Sequence, residues 1–516
     1  TCALPILIAA VSLGMAEYGL AGAALAFWIS GAGIIASLIG CAFVKTKETI
    51  ESEEEAADDD ETQSELLKAL RKGVFTAAFL IIIASAVLCW LLFDSKHGLN
   101  LFFCVIIGLL VGIMIGLWTE YCTSFAYRPT LSIARSGLFG AAPVVIQGLS
   151  IGMLSIGGPA IVSGAALLGC HYLEGGFGIA IAAVGMLSTL GITLATDSYG
   201  PVSDNAGGIA EMAKLPELVR KRTDALDALG NTTAATGKGF AIGSAFLTAL
   251  ALIEEFSNKA GVTEVNIAEP IVLVGALIGV MLPFIFSALT MLAVGRGSQS
   301  IIKEVRRQFK EIPGLLEGEA LCDPEKCVAD CTDRALWEMV LPGSMAVLSP
   351  FVVGFCMGTE ALAAMLAGCI LSAFMLAVLL SNAGGAWDNA KKACESGMIP
   401  GALKGTPGHE ANVQGDTVGD PCKDVASVSL DVLAKLMSMI AVLMGDRFGE
   451  PKDNWYIGAI FGLILLAFMV FFFVRSFYEK NDLLSEVQAS HTAETTEKAE
   501  ETPEEVVEEK VAEETA

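Results

Sequence analysis

Charge is scarce in this chain of 516 residues: Asp, Glu, Lys and Arg make up 17%, against roughly 25% in an ordinary soluble domain. Basic residues are scarcer still, 32 against 57 acidic ones, and no basic face exists to neutralise a phosphate backbone. Nucleic acid is therefore not an expected partner. Histidine falls to four residues. His409 alone lies near the chain's aspartate-rich polar segments, and it lacks a plausible partner in sequence, so a Ser or Cys nucleophile has no support. Most of the thirteen cysteines are scattered through apolar runs (Cys41, Cys89, Cys104, Cys170, Cys356, Cys369), where they act as small hydrophobes. Cys322, Cys327 and Cys331 follow a C-x4-C-x3-C spacing with no nearby His, which is not a zinc pattern, and read as reduced loop thiols. No charged n-region or cleavage pattern opens the chain. Its first stretch, TCALPILIAAVSLG, reads as the tail of a span already under way, so the expectation is a fragment.

What fills the chain instead is apolar: 54% of residues are hydrophobic, with 54 glycines. Apolar runs near the length a bilayer needs fall at about 3–14, 22–44, 74–93, 99–118, 139–168, 177–196, 239–253, 268–294, 339–357, 360–380, 426–445 and 455–474. The expected fold class is an all-α polytopic membrane protein of about twelve spans, because lipid requires backbone hydrogen bonds to close within each segment. Counted alternately, one set of connections is short: 94–98, 169–176, 254–267, 358–359 and 446–454. The other set (45–73, 119–138, 197–238, 295–338, 381–425 and the tail) is long and polar and holds most of the basic residues, including Lys45, Arg71, Lys72 and Arg128. By the positive-inside rule the long set is cytoplasmic. The net charge of −25 sits largely in two acidic low-complexity tracts, Glu51 to Glu61 and the tail from Glu486, which are expected to be disordered and solvated.

Four polar segments lie on the long side. The first, DSYGPVSDNAGG (197–208), places Asp197 and Asp204 seven apart, on one face of a continuing helix. The second, RTDALDALGN (222–231), spaces Asp224, Asp227 and Asn231 at i, i+3 and i+7, with Lys238 at the mouth of the following apolar run. In the third, NAGGAWDNAKK (382–392), Asp388 precedes Lys391 and Lys392. The fourth, GDTVGDPCKD (415–424), spaces Asp416, Asp420 and Asp424 at i, i+4 and i+8, although Pro421 interrupts the pattern and is a candidate helix start. Clustered carboxylates repel one another unless cations compensate them. Oxygen-only ligands point to hard ions such as Mg²⁺, which keeps waters and shares phosphate oxygens. Lys238, Lys391 and Lys423 are point charges suited to phosphate oxygens. A pocket of Asp, Asn and Lys reads as a site for a magnesium–polyphosphate complex. One such loop alone is usually a solvated turn or cap; four at span ends on one side are not. Gly230 to Lys238 is not a P-loop, having G-x6-G-K spacing and no preceding strand.

At these residues the sequence resembles the membrane-bound, ion-translocating pyrophosphatases. The resemblance rests on DSYGPVSDNAGGIAEM (197–212), RTDALDALGNTTAATGKGFAIGSA (222–245), SNAGGAWDNAKK (381–392) and GDTVGDPCKD (415–424). It extends to TEYCTSFAYRP (119–129) and MLPFIFSALTM (281–291), and covers residues 20 to 445. It implies a homodimer of bundles of about sixteen helices in two rings, in the cell membrane with the site facing the cytoplasm. The implied activity is hydrolysis of pyrophosphate coupled to movement of H⁺ or Na⁺; the alternative, a secondary ion transporter binding Na⁺ through Asp and Asn near broken helices, leaves the lysines beside carboxylates at the cytoplasmic ends unexplained. It further implies that Asp204, Asn231, Asp388, Asp416, Asp420 and Asp424 form the Mg²⁺ shell, and that Lys238, Lys391 and Lys423 hold phosphate oxygens. Asp424 would orient the attacking water, with Asp420 and Asp197 in the same catalytic set. Lys435 matches the lysine of the family's ion gate. Ala234 and Gly237 stand where potassium-independent members carry Lys and Thr, which implies K⁺ stimulation. The implied division is a helical bundle over 1–445, an additional membrane helix over 446–475 and an acidic tail over 476–516.

Departures accompany the likeness. The family's upstream aspartate-rich loop, which supplies a substrate lysine and the partner aspartate of the water pair, is not in the chain, nor is the acidic residue that selects H⁺ or Na⁺; the chain alone is expected not to hydrolyse pyrophosphate. Glu410 and Asn412 stand where Lys and Ala are usual, KDVASVSLD (423–431) replaces a pattern nearer KDTAGPALN, and Pro143-Val144 replaces Thr-Asn.

Overall fold

Apolar runs of this length have one way to satisfy their peptide groups in lipid without a closed barrel, which is to become helices. The computed structural model describes residues 3–45, 59–316, 318, 320–448 and 451–478, and among them every regular element is helical. Among the described residues ten helical stretches are long and apolar enough to cross a membrane, against the expected count of about twelve. The expected run 3–14 lies in α1 (Ala3–Tyr18), which has only 16 residues. The run 177–196 is shared between the end of α7 (Gly157–Leu187) and the start of α8 (Leu190–Met212). The expected disordered tracts fall mainly on residues 46–58 and 479–516, outside the described residues; Asp59, Asp60 and Glu61 instead open α3 (Asp59–Leu92).

The contacts divide the chain into two units, Thr1–Met291 with Pro342–Leu463, and Leu292–Leu341 with Ile464–Ala516. In the first, α2 (Leu20–Ala42), α3, α4 (Ser95–Thr123), α7, α8 and α9 (Glu217–Ala260) pack along one another. Glycine permits the closest approach. A Cβ on Gly108 of α4 would lie 1.9 Å from the Ala182 carbonyl oxygen of α7, so that backbone separation admits no larger residue. Within α7 the helix breaks at Glu174 and Gly175, and Gly175 takes φ 56°, which only glycine adopts without strain. The Glu174 carboxylate closes the break by accepting from Tyr18 and from Asn100 Nδ2, the latter at 2.7 Å.

The segments read as long polar loops are mostly helix. Residues 197–238 belong to α8 and α9, which leave only 213–216 outside a helix, and 381–395 belong to α13 (Thr359–Glu395). Hydropathy marks where a helix meets lipid, and these helices continue past that point into a polar environment. α13 is held by buried polar side chains: Asn382 Nδ2 donates to Ser155 Oγ at 2.9 Å, Trp387 Nε1 to the Val144 carbonyl at 2.9 Å and Asn389 Nδ2 to the Thr123 carbonyl at 2.7 Å. Around Trp387 lies an apolar core of Phe125, Ile133, Val144 and Ile151, contributed by α4's exit, α5 (Arg128–Ser136) and α6 (Ala141–Ser155). α14 (Pro407–Asp420) starts with Thr406 accepting from the His409 N–H and Pro407 at the first turn, a favoured start because proline's missing donor is not needed there. Pro421 does not start a new helix. The chain passes from α14 through a π-helical stretch, Pro421–Ala426, into α15 (Ser427–Met444).

The second unit contains the end of α10 (Pro270–Glu311), α11 (Pro324–Glu338) and the end of α16 (Pro451–Tyr478). Arg296 forms a two-pronged pair with Glu338, at 2.9 Å from Nε and 2.5 Å from Nη2. Gln308 clamps the α11 start by donating to the Asp323 carbonyl and accepting from its N–H, both at 2.8 Å.

Candidate functional site

Six aspartates and four lysines line one cavity of about 700 Å³ in the first unit. α8 supplies Asp197 and Asp204, with Gly200 and Pro201 between them on the same wall. Pro201 has no N–H to give the Asp197 carbonyl, so this turn of α8 is loosened next to the cavity. Tyr199 ties α8 to α9 by donating to the Leu226 carbonyl at 3.1 Å. From α9 comes Lys238, from α13 come Asp388, Lys391 and Lys392, and from α14 come Asp416 and Asp420. The π-helical stretch supplies Lys423 and Asp424. A π turn holds an extra residue and rotates the helix beyond it, and here it brings Lys423 beside three carboxylates. The backbone approach is close: a Cβ on Gly384 would lie 2.5 Å from Lys423 Cβ and 2.7 Å from the Gly419 carbonyl oxygen.

The ion pairs form a chain across the site. Lys423 donates to Asp388 and lies 2.9 Å from Asp420 and 3.9 Å from Asp416. Lys391 donates to Asp416 and lies 3.5 Å from Asp388. Lys238 reaches Asp424 at 2.6 Å, and Lys392 donates to Asp227, outside the lining. Burial raises the Asp227 carboxyl from its ordinary value, with Lys392 opposing. Burial likewise raises Asp197, with Lys238 opposing and Asp424 adding to the rise.

One carboxylate oxygen each from Asp388, Asp416 and Asp420 lie within 4.8 Å of one another. Asp388 Oδ1 and Asp416 Oδ1 are buried without a hydrogen-bond partner. Buried acceptors without a hydrogen bond are costly; these two face only Lys391 at 3.5 Å and Lys423 at 3.9 Å, and an all-oxygen cluster of this kind fits a hard divalent cation such as Mg²⁺.

Nine of the side chains read from the sequence thus share one cavity: Asp197, Asp204, Lys238, Asp388, Lys391, Asp416, Asp420, Lys423 and Asp424. The side chains of Asp224, Asn231 and Ala234 lie outside the described residues. Gly237 backs onto the site, since a Cβ there would lie 3.1 Å from Asp197 Cβ. Lys435 does not line the cavity; it is buried on α15 in a 2.8 Å pair with Asp431. Asp431 closes the departing stretch KDVASVSLD, and its place one turn before Lys435 is the sequence signal for a pairing that the motif reading does not include. The reading of His409 as partnerless is corrected: its Nε2 lies 3.1 Å from Glu395 Oε1, a contact across a chain reversal that spacing does not reveal. Two departures have structural explanations. Asn412 is fully buried and its Nδ2 donates to the carbonyls of Ala134, 3.1 Å, and Gly408, 2.9 Å, stapling α14 to α5. Pro143 occupies the first turn of α6, where no N–H is required.

A candidate K⁺-stimulated pyrophosphate-energized sodium pump of Bacteroides thetaiotaomicron is 46% identical over 457 residues, covering 81% of this chain and 60% of the relative. A K⁺-insensitive pyrophosphate-energized proton pump of Methanosarcina mazei is 44% identical over 426 residues, covering 80% and 60%. A K⁺-stimulated pyrophosphate-energized sodium pump of Thermotoga maritima is 42% identical over 402 residues, covering 74% and 55%. The chain therefore spans little more than half the length of these relatives. The family model for inorganic H⁺ pyrophosphatase matches residues 3–444, most of the chain and all four polar segments, and the chain belongs to that family.

Proposed function

We propose that this chain carries the metal- and phosphate-holding half of an ion-pumping pyrophosphatase centre. Together with the part of its relatives' length that it does not span, it hydrolyses magnesium pyrophosphate to two phosphates and moves H⁺ or Na⁺ out of the cytoplasm. The observation that carries the reading is the convergence of four helix segments on one cavity, where three carboxylate oxygens lie within 4.8 Å of one another among four lysines. Asp388, Asp416 and Asp420 would hold Mg²⁺, with Asp204, Asp424 and Asn231 completing the shell. Bound there, the metal neutralises phosphate charge and polarises the bridging bond.

Lys238, Lys391 and Lys423 turn from their aspartates to phosphate oxygens when substrate enters. Asp424, released from Lys238, orients the attacking water, and Asp197 and Asp420 stand beside it. The pair Asp431–Lys435 forms the gate on the ion path. K⁺ stimulation is proposed from Ala234 and Gly237 and is supported by the names of two of the relatives. A homodimer with its site toward the cytoplasm completes the proposal.

Titration calorimetry of the chain in nanodiscs with imidodiphosphate, a non-hydrolysable analogue, tests the core of it. Binding is expected only with Mg²⁺ present and is expected to vanish in Lys423→Ala. Equal binding with and without Mg²⁺, or none under either condition, would refute the reading.

A further inference from the structure

A second cavity, of about 110 Å³, lies between α3 and α4 with α8 and α9 as its floor. Its walls are Val74, Phe75 and Ala78 of α3 against Leu109, Ile113 and Leu117 of α4. Phe75 and Leu117 are 47% and 45% exposed, so the cleft opens outward where the bundle meets lipid. Gly112 and Gly116 of α4 keep the floor low, with Phe240 and Thr236 beneath them. Two floor threonines turn their hydroxyls to their own backbone, Thr193 donating to the Thr189 carbonyl at 3.0 Å and Thr196 to the Thr193 carbonyl at 2.7 Å. That leaves methyl groups for the cleft. From Leu109 to Glu120 the lining spans about 16 Å of helix at 1.5 Å per residue, close to the roughly 15 Å of one leaflet's hydrocarbon.

The polar end of the cleft is built differently. Arg71 closes it, donating to Glu120, whose side chain is 8% exposed. Tyr127 also donates to Glu120, at 3.4 Å. The Arg71 Nε is buried with no hydrogen-bond partner, an unspent donor beside an apolar slot. Lys68 and Lys72 flank it on the same helix end and are exposed. Lys45 follows α2, which touches α3 at Gly40 and Gly73, and Arg128 opens α5 next to Tyr127. Glu120 pairs with Arg71, and Lys68 and Lys72 are the exposed cations within one turn of it, while the acidic residues of α3 (Asp59, Asp60, Glu61 and Glu65) stand closer to its start and farther from the cleft.

We propose that this cleft is a binding site for one anionic phospholipid. An acyl chain lies in the slot, the phosphate accepts from Arg71, and Lys68 and Lys72 supply the headgroup preference. The site is separate from the acidic cavity and shares no lining residue with it. Basic residues at an interface favour anionic lipid, and an apolar slot one leaflet deep selects a chain over a soluble anion.

Native mass spectrometry of the chain extracted from equal phosphatidylglycerol and phosphatidylcholine tests this. One phosphatidylglycerol is expected to survive in preference to phosphatidylcholine. Lys68→Gln with Lys72→Gln should lower that preference by up to about thirtyfold, the worth of two interfacial basic residues. Ile113→Trp should fill the slot and remove the retained lipid, with the melting temperature in phosphatidylcholine unchanged; Leu117→Trp, at the exposed lip, serves if that variant fails to fold. Retention without headgroup preference, or undiminished retention in both tryptophan variants, would overturn the proposal.

Discussion

Asp431 and Lys435 lie one turn apart on α15 and pair at 2.8 Å, with side chains only 10% and 8% exposed. Phe246, Phe374 and Ile370 line the space beside them. An exposed pair at this spacing contributes about 0.3–0.5 kcal/mol, whereas removing one partner of a buried pair costs about 3–5 kcal/mol because the remaining charge is stranded. Asp431 already has one oxygen, Oδ1, without a hydrogen bond, so loss of Lys435 leaves its carboxylate with no cation at all. Lys435→Met and Asp431→Leu are therefore each expected to destabilise by about 3–5 kcal/mol. The double variant, which strands nothing, is expected within about 1 kcal/mol of the parent or above it. Unfolding in mixed detergent micelles, followed by helical circular dichroism, gives all four corners of the cycle. Single losses below about 1 kcal/mol that simply add would show a solvated surface pair, and the buried-pair geometry would be wrong.

The other predictions concern the acidic cavity and its walls. Gly384→Ala inserts a Cβ 2.5 Å from Lys423 Cβ, and is expected to cost about 1–3 kcal/mol of stability and to weaken Mg-imidodiphosphate binding; an unchanged melting temperature and affinity would contradict that contact. Asp388→Asn removes a carboxylate from the three-oxygen cluster, and is expected to lower Mg²⁺ affinity at least about tenfold, of the order seen when metal-site groups are lost, as read by calorimetry; retention of parental affinity would move the metal elsewhere. Ala234→Lys with Gly237→Thr, made in a chain extended with the remaining sequence of the Thermotoga maritima relative, should abolish K⁺ stimulation of phosphate release, and continued stimulation would unseat these two positions as the determinant.

Much of this was legible in sequence because it is local. Apolar runs located the helices, and helical spacing put Asp197 with Asp204 and grouped Asp416, Asp420 and Asp424. What remained hidden depends on contacts between segments or on backbone detail. Lys392 carries no mark that would choose Asp227 as its partner, 165 residues earlier. The break at Glu174 falls inside the connection 169–176 that the sequence marks, but its stabilising donors, Tyr18 and Asn100, lie far off in the chain and carry no sign of the contact. Pro421 looked like a helix start because proline ordinarily is one; a π turn lets the chain continue and changes which side chains face inward. Helix length was underestimated at α9 and α13 for one reason, that hydropathy falls where a helix leaves lipid while its hydrogen bonding does not.

The charges lining the cavity bear on the order in which its ligands enter. Six aspartates face four lysines there, so the wall carries a net negative charge even with every lysine protonated. Pyrophosphate alone meets that wall as a polyanion and is repelled. Each lysine is moreover committed, Lys423 and Lys391 to Asp388 and Asp416, Lys238 to Asp424 and Lys392 to Asp227. On the proposed function, freeing a lysine for a phosphate oxygen leaves a buried carboxylate uncompensated, which costs several kcal/mol unless a cation replaces it. Divalent metal and substrate therefore depend on one another for entry, and binding is an exchange of partners inside a site whose lysines are already paired. On the proposed function, such a centre would keep its lysines occupied between turnovers without holding phosphate, and would couple the arrival of substrate to movement of Lys423, seated on the π-helical stretch that leads directly into α15 and the Asp431–Lys435 pair.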